Sequence, residues 1–277
     1  MTMDARLQRR VQRYGWDKAS AAYEQYWRRQ IEPAQVRLLA LAELAAGADV
    51  LDVACGTGLV SFPAATHVGP GGRLVGTDLS EEMVNRAREK ARSRRLEHVT
   101  FERMDAEDLL LDADSFDVVL CSLGLMYVPD PRKALAEMRR VVRPGGRVIV
   151  AVWGERGRCG WAEIFPIVDR RVASEVCPMF FQLGTGDMLR LQMEAVGLSD
   201  LRVERVASTM PYDSDADACG AAFAGGPVAL AYSRFDDRVR SEAHAEYLTS
   251  IFAYRRANGD EGYDVPGEFV VARGVKR

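Results

Sequence analysis

Val50-Leu51-Asp52-Val53-Ala54-Cys55-Gly56-Thr57-Gly58 decides the reading of this chain. Residues suited to a buried parallel strand run into a turn of small residues, where a helix must begin close to a ligand. Gly56 and Gly58 carry no Cβ, so the backbone can take left-handed dihedrals and lie against a bound molecule. The helix expected from about Leu59 to His67 turns its unpaired N–H groups back toward that turn. A glycine pair alone is equally an ordinary tight strand-to-helix connection.

The order downstream narrows the choice. Arg73-Leu74-Val75-Gly76-Thr77-Asp78 is a second apolar run closed by an acid, and 78 − 58 = 20 places Asp78 where a carboxylate meets a ribose diol. A third acid, Asp105, follows a third run in Arg103-Met104-Asp105-Ala106-Glu107-Asp108. A dinucleotide fingerprint asks for glycine at position 61, which is Ser61, and the first small position of the run is Ala54. A nicotinamide oxidoreductase is therefore the weaker reading.

The constellation of Asp52, Gly56, Gly58, Asp78 and Asp105 resembles the class I S-adenosylmethionine-dependent methyltransferases over about residues 50–153. Its D-x-A-C-G-T-G form is similar to the branch containing the ubiquinone/menaquinone-biosynthesis C-methyltransferases. The resemblance implies an α/β fold with a doubly wound, mostly parallel, seven-stranded Rossmann-like sheet, an N-terminal helical lid and a helical cap insertion. It implies S-adenosyl-L-methionine as cofactor, leaving S-adenosyl-L-homocysteine as product. The implied cofactor-binding set is Trp27, Asp52, Ala54, Gly56, Gly58, Asp78, Leu79, Met83, Asp105, Ala106, Glu107 and Ser122.

Within that set Asp78 would take the ribose hydroxyls, and Asp105 the adenine amine with the Ala106 N–H on the ring. Asp52 would support the glycine turn and the methionine amino group, while Tyr23 and Trp27 reach in from the lid. Asp105 could instead cap a short helix over 106–110, and Asp52 could merely satisfy backbone donors. Cys55 at a helix N-terminus is either a reactive thiol or a small residue filling tight space. After the fourth run stands Cys121-Ser122-Leu123-Gly124, where nucleic-acid and amide N-methyltransferases often carry Asn-Pro-Pro-Tyr. That favours a small, fairly apolar acceptor.

The bulk properties agree. A chain of 277 residues, 48% hydrophobic and 28% charged, suits a globular fold of one or two domains. A formal charge of −3 gives no general pull toward nucleic acid. No run nears the ~20 apolar residues of a membrane span, and no signal-peptide core follows the start. Arg6, Arg9, Arg10, Arg13, Arg28 and Arg29 make that start basic, but Asp4, Asp17, Glu24, Trp16 and Trp27 argue for a folded helix rather than a transit peptide. Cysteines 55, 121, 159, 177 and 219 are odd in number and show no C-x-x-C pair, which suggests neither disulfides nor zinc. The expectation is a cytoplasmic protein without a metal, whose partner is a small-molecule acceptor and whose oligomeric state is open.

In chain order, residues 1–48 read as the lid, 49–154 as the cofactor-binding core, and 155–277 as the rest of the sheet with an acceptor-covering cap. The lid divides into a helix from Asp4 to Gln30 and a second one opened by Pro33, with Val36, Leu38, Leu39, Leu41 and Leu44 as its apolar face and Gly47 at its end. Strands are expected at 50–54, 74–77, 99–103, 116–121 and 147–153, with Ser80 and Asp130-Pro131 starting helices and Pro144-Gly145-Gly146 ending one. Leu201–Met210 and Phe269–Val275 read as strands, and the resemblance implies that they close the sheet as an antiparallel pair. Between them, helices near 216–223 and 236–254 should roof the site together with 154–183. The cap aromatics and methionine (Met179, Phe180, Phe181, Phe223, Tyr232, Phe235 and Phe252) fit an apolar guest or ordinary packing.

The implied reaction is in-line displacement at a sulfonium methyl, in which the protein holds nucleophile, methyl and sulfur in line and excludes water. A general base is needed only if the acceptor keeps its proton at neutral pH. His244 and Tyr127 are the candidates, with Tyr232 and Tyr263 equally open. The acceptor would be an aromatic, quinone-like or specialised metabolite methylated at oxygen or carbon. A cofactor-assisted cyclase or decarboxylase, and a non-catalytic cofactor-binding subunit, are the readings left beside it.

Overall fold

Runs of Val, Leu and Ile with few polar breaks are buried on both faces, which forces helices onto each side of a parallel sheet. The computed structural model describes residues 4–172, 180–257 and 261–277; Cys177 and Met179 lie outside them. The strands are β1 (Asp49–Val53), β2 (Arg73–Asp78), β3 (Val99–Arg103), β4 (Phe116–Ser122), β5 (Val142–Trp153), β6 (Leu198–Tyr212) and β7 (Tyr263–Lys276). Among the described residues they form one seven-stranded sheet in the order β3-β2-β1-β4-β5-β7-β6. The first five are mutually parallel, whereas β7 runs antiparallel to both β5 and β6. The order reverses beside β1, so the crevice between the ends of β1 and β4 is the natural place for a ligand.

The helices are α1 (Ala5–Ala19), α2 (Tyr23–Ala42), α3 (Ser61–Val68), α4 (Glu81–Ser93), α5 (Pro131–Val141), α6 (Ile164–Asp169), α7 (Met188–Ala195), α8 (Asp215–Cys219), α9 (Ala229–Tyr232) and α10 (Asp237–Ile251). Local signals explain several starts. Ser80 accepts from the Met83 N–H at 3.2 Å, and Asp130 accepts from the Lys133 N–H at 3.0 Å ahead of Pro131. Glu81 and Glu82 occupy the first turn of α4, where the helix dipole favours them.

Several expectations are corrected. The second helix begins at Tyr23, and Pro33 lies inside it. The hydrogen bond lost at Pro33 is outweighed by burial on both sides, with Trp27 and Ile31 before it and Ala34, Leu38 and Leu41 after it. Val36 points away from that face and is 60% exposed. Pro144-Gly145-Gly146 does not separate helix from strand: β5 starts at Val142 and absorbs the turn as an irregularity opposite Phe116 and Val118, with Gly145 at φ 79°. Residues 106–110 form turns rather than a helix, and α3 starts at Ser61, after the glycine turn has closed.

Helix α1 closes over the sheet edge, while the insertion between β6 and β7 packs against α1 through α9 and brings Pro227, with Trp161 and Phe180, to an aromatic chamber beside that edge.

Where β7 meets β5, the buried Glu268 carboxylate accepts from the Glu155 N–H at 3.1 Å and from Arg205 at 2.8 Å. Gly154 has no side chain because a Cβ would collide with Glu268. Glu268→Ala leaves the Glu155 N–H unpaired while Arg205 keeps the Gly184 and Gly186 carbonyls, and is expected to cost about 1–3 kcal/mol in urea unfolding at unchanged m-value. A loss below about 0.5 kcal/mol would show that the N–H finds water instead.

Candidate functional site

The carboxyl ends of β1, β2 and β4, with α1 across them, enclose a cleft of about 780 Å³ including its open mouth. Its floor is the glycine turn, in which Ala54, Gly56 and Gly58 all have positive φ (55°, 55° and 87°). Leu123, just past β4, is also left-handed at φ 58°. Left-handed residues other than glycine are rare and concentrate at ligand clamps, and here two of them flank the cleft. Gly124 is required between them, because any Cβ would strike that of Ala54.

Asp78 ties the turn to β2. One of its oxygens accepts from the Gly56 N–H at 2.8 Å and the other from the Ser80 N–H at 2.9 Å. Burial nevertheless lifts its pKa to about 6, against the pull of those two donors and helped by the neighbouring Asp17. Asp52 lies beneath the turn, 1% exposed, with one oxygen taking the Ser61 hydroxyl at 2.5 Å and the other without a partner. Burial raises it to about 7, with Asp78 adding repulsion and Ser61 opposing. Two desolvated acids side by side create a demand for positive charge.

Asp105 faces the same cleft. One oxygen accepts from the Glu107 N–H at 2.9 Å, and Arg9 of α1 lies 2.7 Å from the other. Each carboxylate oxygen can take two donors, so the acid keeps capacity for a ligand amine. Leu79, Met83, Met104, Ala106, Val128 and Pro129 supply apolar wall on that side. At the opposite end the Ser122 hydroxyl is buried without a partner among the described residues.

The lid is held by charge. Arg9 also pairs with Glu107, Asp17 accepts from the Ser80 hydroxyl at 2.6 Å and the Glu82 N–H at 3.2 Å, and Glu24 pairs with Lys90 and takes the Thr57 hydroxyl. Tyr23 then lies over Gly56, its nearest ring carbon 3.8 Å from where a Cβ would be. Burial, with Asp78 and Asp52 nearby, pushes its phenol upward, so it is neutral.

Of the residues singled out in the sequence, Ala54, Gly56, Asp78, Leu79, Met83, Asp105, Ala106, Ser122 and Tyr127 line the cleft. Asp52 is below it, and Gly58 is required instead by the ring of Phe62, which a Cβ would touch at 2.6 Å. Glu107 turns inward to Arg9 and the Asp130 N–H. Trp27 lines an adjoining aromatic chamber. His244 lies elsewhere, in the cap, bonded to the Tyr232 hydroxyl at 2.9 Å, its pKa lowered by burial and Arg240. Tyr232 is therefore removed from the cleft as well, and Tyr263 bonds Asp215 at 2.6 Å. Cys55 is buried and its thiol is pushed well up, which favours the space-filling role. Sequence reasoning missed Arg9, Gln12 and Trp16; their i, i+3, i+7 spacing on α1 was the available signal.

A doubly wound sheet with a left-handed glycine turn after β1, an acid closing β2 and an acid after β3 is the arrangement that the resemblance to class I S-adenosylmethionine-dependent methyltransferases implied. Residues 44–158 match the family model described as a methyltransferase domain, and the chain carries that domain. Over 133 residues it is 39% identical to the nocamycin O-methyltransferase of Saccharothrix syringae, covering 48% of each chain. Over 119 residues it is 38% identical to the demethylmenaquinone methyltransferase of Listeria welshimeri, covering 43% of this chain and 50% of that one. The chain thus spans about half the length of these curated relatives. The crystal structure of the YcgJ protein from Bacillus subtilis shares the fold, with a TM-score of 0.61 at 18% identity over 89% of this chain and 98% of that one. Among the described residues no helix is long and apolar enough to cross a membrane.

The raised pKa of Asp52 has a measurable sign. The native state holds its proton up to about pH 7, the unfolded state only to about 3.8, so stability falls as pH rises between the two. Asp52→Asn removes this dependence. Relative to wild type, the variant should gain on the order of 3 kcal/mol between pH 4 and pH 8, read by urea unfolding across that range. A pH-independent difference would place the Asp52 pKa near its ordinary value.

Proposed function

We propose that the protein transfers the methyl group of S-adenosyl-L-methionine to the oxygen or carbon of a small aromatic or quinone-like acceptor. The cofactor fits the residues present. Asp78 would take the ribose hydroxyls beside the bare backbone of Gly56, and Asp105 would take the adenine amine between Met104 and Ala106. The uncompensated Asp52–Asp78 pair would meet the cationic end, and the unpartnered Ser122 hydroxyl offers a bond there. When bound, the cofactor supplies an activated methyl group on a positively charged sulfur.

One observation carries the reading. The cleft and the aromatic chamber share Trp16, Tyr23, Leu123 and Tyr127, so a donor in the first would be adjacent to an apolar acceptor in the second. The chain's own contribution is orientation and exclusion of water: α1 and α2 cover the junction, and Tyr23 lies over the turn as a neutral phenol. Tyr127 is the titratable group at the junction best placed to accept or relay an acceptor proton, a role His244 is too remote to fill. The relatives' names agree with small-molecule methylation, one at oxygen and one on a menaquinone precursor.

Incubation with labelled methyl donor and a cell extract should place the label on a small aromatic product, with one S-adenosylhomocysteine formed per label. Product without S-adenosylhomocysteine would point to a cyclase or decarboxylase, and neither would point to a non-catalytic binding subunit. Asp78→Ala should weaken S-adenosylhomocysteine binding tenfold or more by calorimetry, since one lost charge-assisted pair is worth about a decade or two. Unchanged affinity would remove Asp78 from the site.

A further inference from the structure

Helix α1 turns Arg9, Gln12 and Trp16 into the cleft, about one helical turn apart along one face. Two of the three are engaged by the protein itself. Arg9 meets Asp105, and the Trp16 indole packs edge to face on Tyr127 and Tyr23, with ring centroids 5.2 and 5.8 Å apart. Gln12 stands between them, 6% exposed, and its side-chain amide has no hydrogen-bond partner among the described residues.

A primary amide carries two N–H donors and a carbonyl acceptor, and burying it unpaired is less favourable than burying a leucine of similar size in the same place. Packing therefore does not explain this residue. A ligand edge with an acceptor and a donor side by side does.

Its place along the cleft decides which edge it meets. Side chains three apart on a helix are neighbours, about 5–6 Å between Cβ atoms, so the amide lies next to the end where Arg9 touches Asp105. Leu79, Met83, Met104 and Pro129 form an apolar wall there that suits the face of a flat ring. With Asp105 on the exocyclic amine and the Ala106 N–H on the adjacent ring nitrogen, an adenine keeps two ring acceptors, N3 and N7. N3 sits beside the bond to the sugar, toward Asp78, whereas N7 sits beside the amine, toward Asp105. An amide laid along N7 and the amine donates to the first and accepts from the second, the pairing by which glutamine reads adenine in nucleic acids.

We propose that Gln12 is a specificity-determining residue for the cofactor, its amide donating to adenine N7 and accepting the amine proton that Asp105 leaves free. This rests on the methyltransferase reading above and gives the lid a share in choosing the purine. Arg9, held by Asp105 and Glu107, is the positioning residue that keeps the amide in register. A purine with C–H in place of N7 leaves the Gln12 donor facing carbon.

Calorimetry compares S-adenosylhomocysteine with its 7-deaza and 3-deaza analogues, in which N7 or N3 alone becomes C–H. On the wild-type chain the 7-deaza analogue should bind about tenfold more weakly than S-adenosylhomocysteine, and the 3-deaza analogue within about twofold of it. Gln12→Leu keeps the volume and removes the amide, so S-adenosylhomocysteine and the 7-deaza analogue should then bind within about twofold of each other. Equal affinity for those two on the wild-type chain overturns the proposal without any variant. A tenfold preference that survives in Gln12→Leu assigns N7 to another group and overturns it too, as does a larger loss with the 3-deaza analogue, which would put the amide on the sugar side. A wild-type chain that binds none of the three sinks the methyltransferase reading, whereas binding of all three alike sinks this inference only.

Discussion

The site depends on keeping two carboxylates out of water at the ends of adjacent parallel strands. β1 and β2 run in register from Asp49 opposite Arg73 to Val53 opposite Thr77, which brings Asp52 and Asp78 to one edge. Among the described residues neither has a cation as partner; each is held by hydrogen-bond donors, Ser61 for Asp52 and the Gly56 and Ser80 N–H groups for Asp78. Their pKa values rise because burial exceeds what those donors return. The protein therefore stores an electrostatic deficit in its cleft that a cationic ligand relieves, and the left-handed Ala54, Gly56 and Leu123 are tolerated around it.

The lid answers the same constraint from the other side. Its charged residues pair with the core: Arg9 with Asp105 in the cleft and with Glu107, Asp17 with the start of α4, Glu24 with Lys90. Its aromatic residues, Trp16, Tyr23 and Trp27, turn inward. Charge thus fixes where α1 and α2 sit, and the rings decide what the space beneath accepts. The insertion between β6 and β7 takes no direct part in the cleft; it backs α1 through α9.

Much of the fold could be read from local signals. Short apolar runs alternating with capped helices, and acids after the second and third runs, specify a parallel sheet whose strand ends carry the polar groups. The two last strands were legible from their own pattern, while their antiparallel pairing was what the family resemblance implied. Pro33 and the Pro144–Gly146 turn misled because each is a strong breaker in isolation, and only burial on both sides, or pairing with β4, reverses that preference. Arg9 and Trp16 were missed because a helix face shows periodicity but not what it covers.

The sequence by itself determined the kind of sheet, the glycine turn and the acids that serve it, because strand periodicity, helix caps and glycine's freedom are properties of a few neighbouring residues. Tertiary structure alone decided that Gly58 answers to Phe62, that Glu107 belongs to Arg9, that His244 is remote, and that four tryptophans spread over residues 16–161 share one chamber. Those outcomes depend on contacts between segments far apart in the chain, and neither spacing nor composition encodes the direction in which a packed helix turns its side chains.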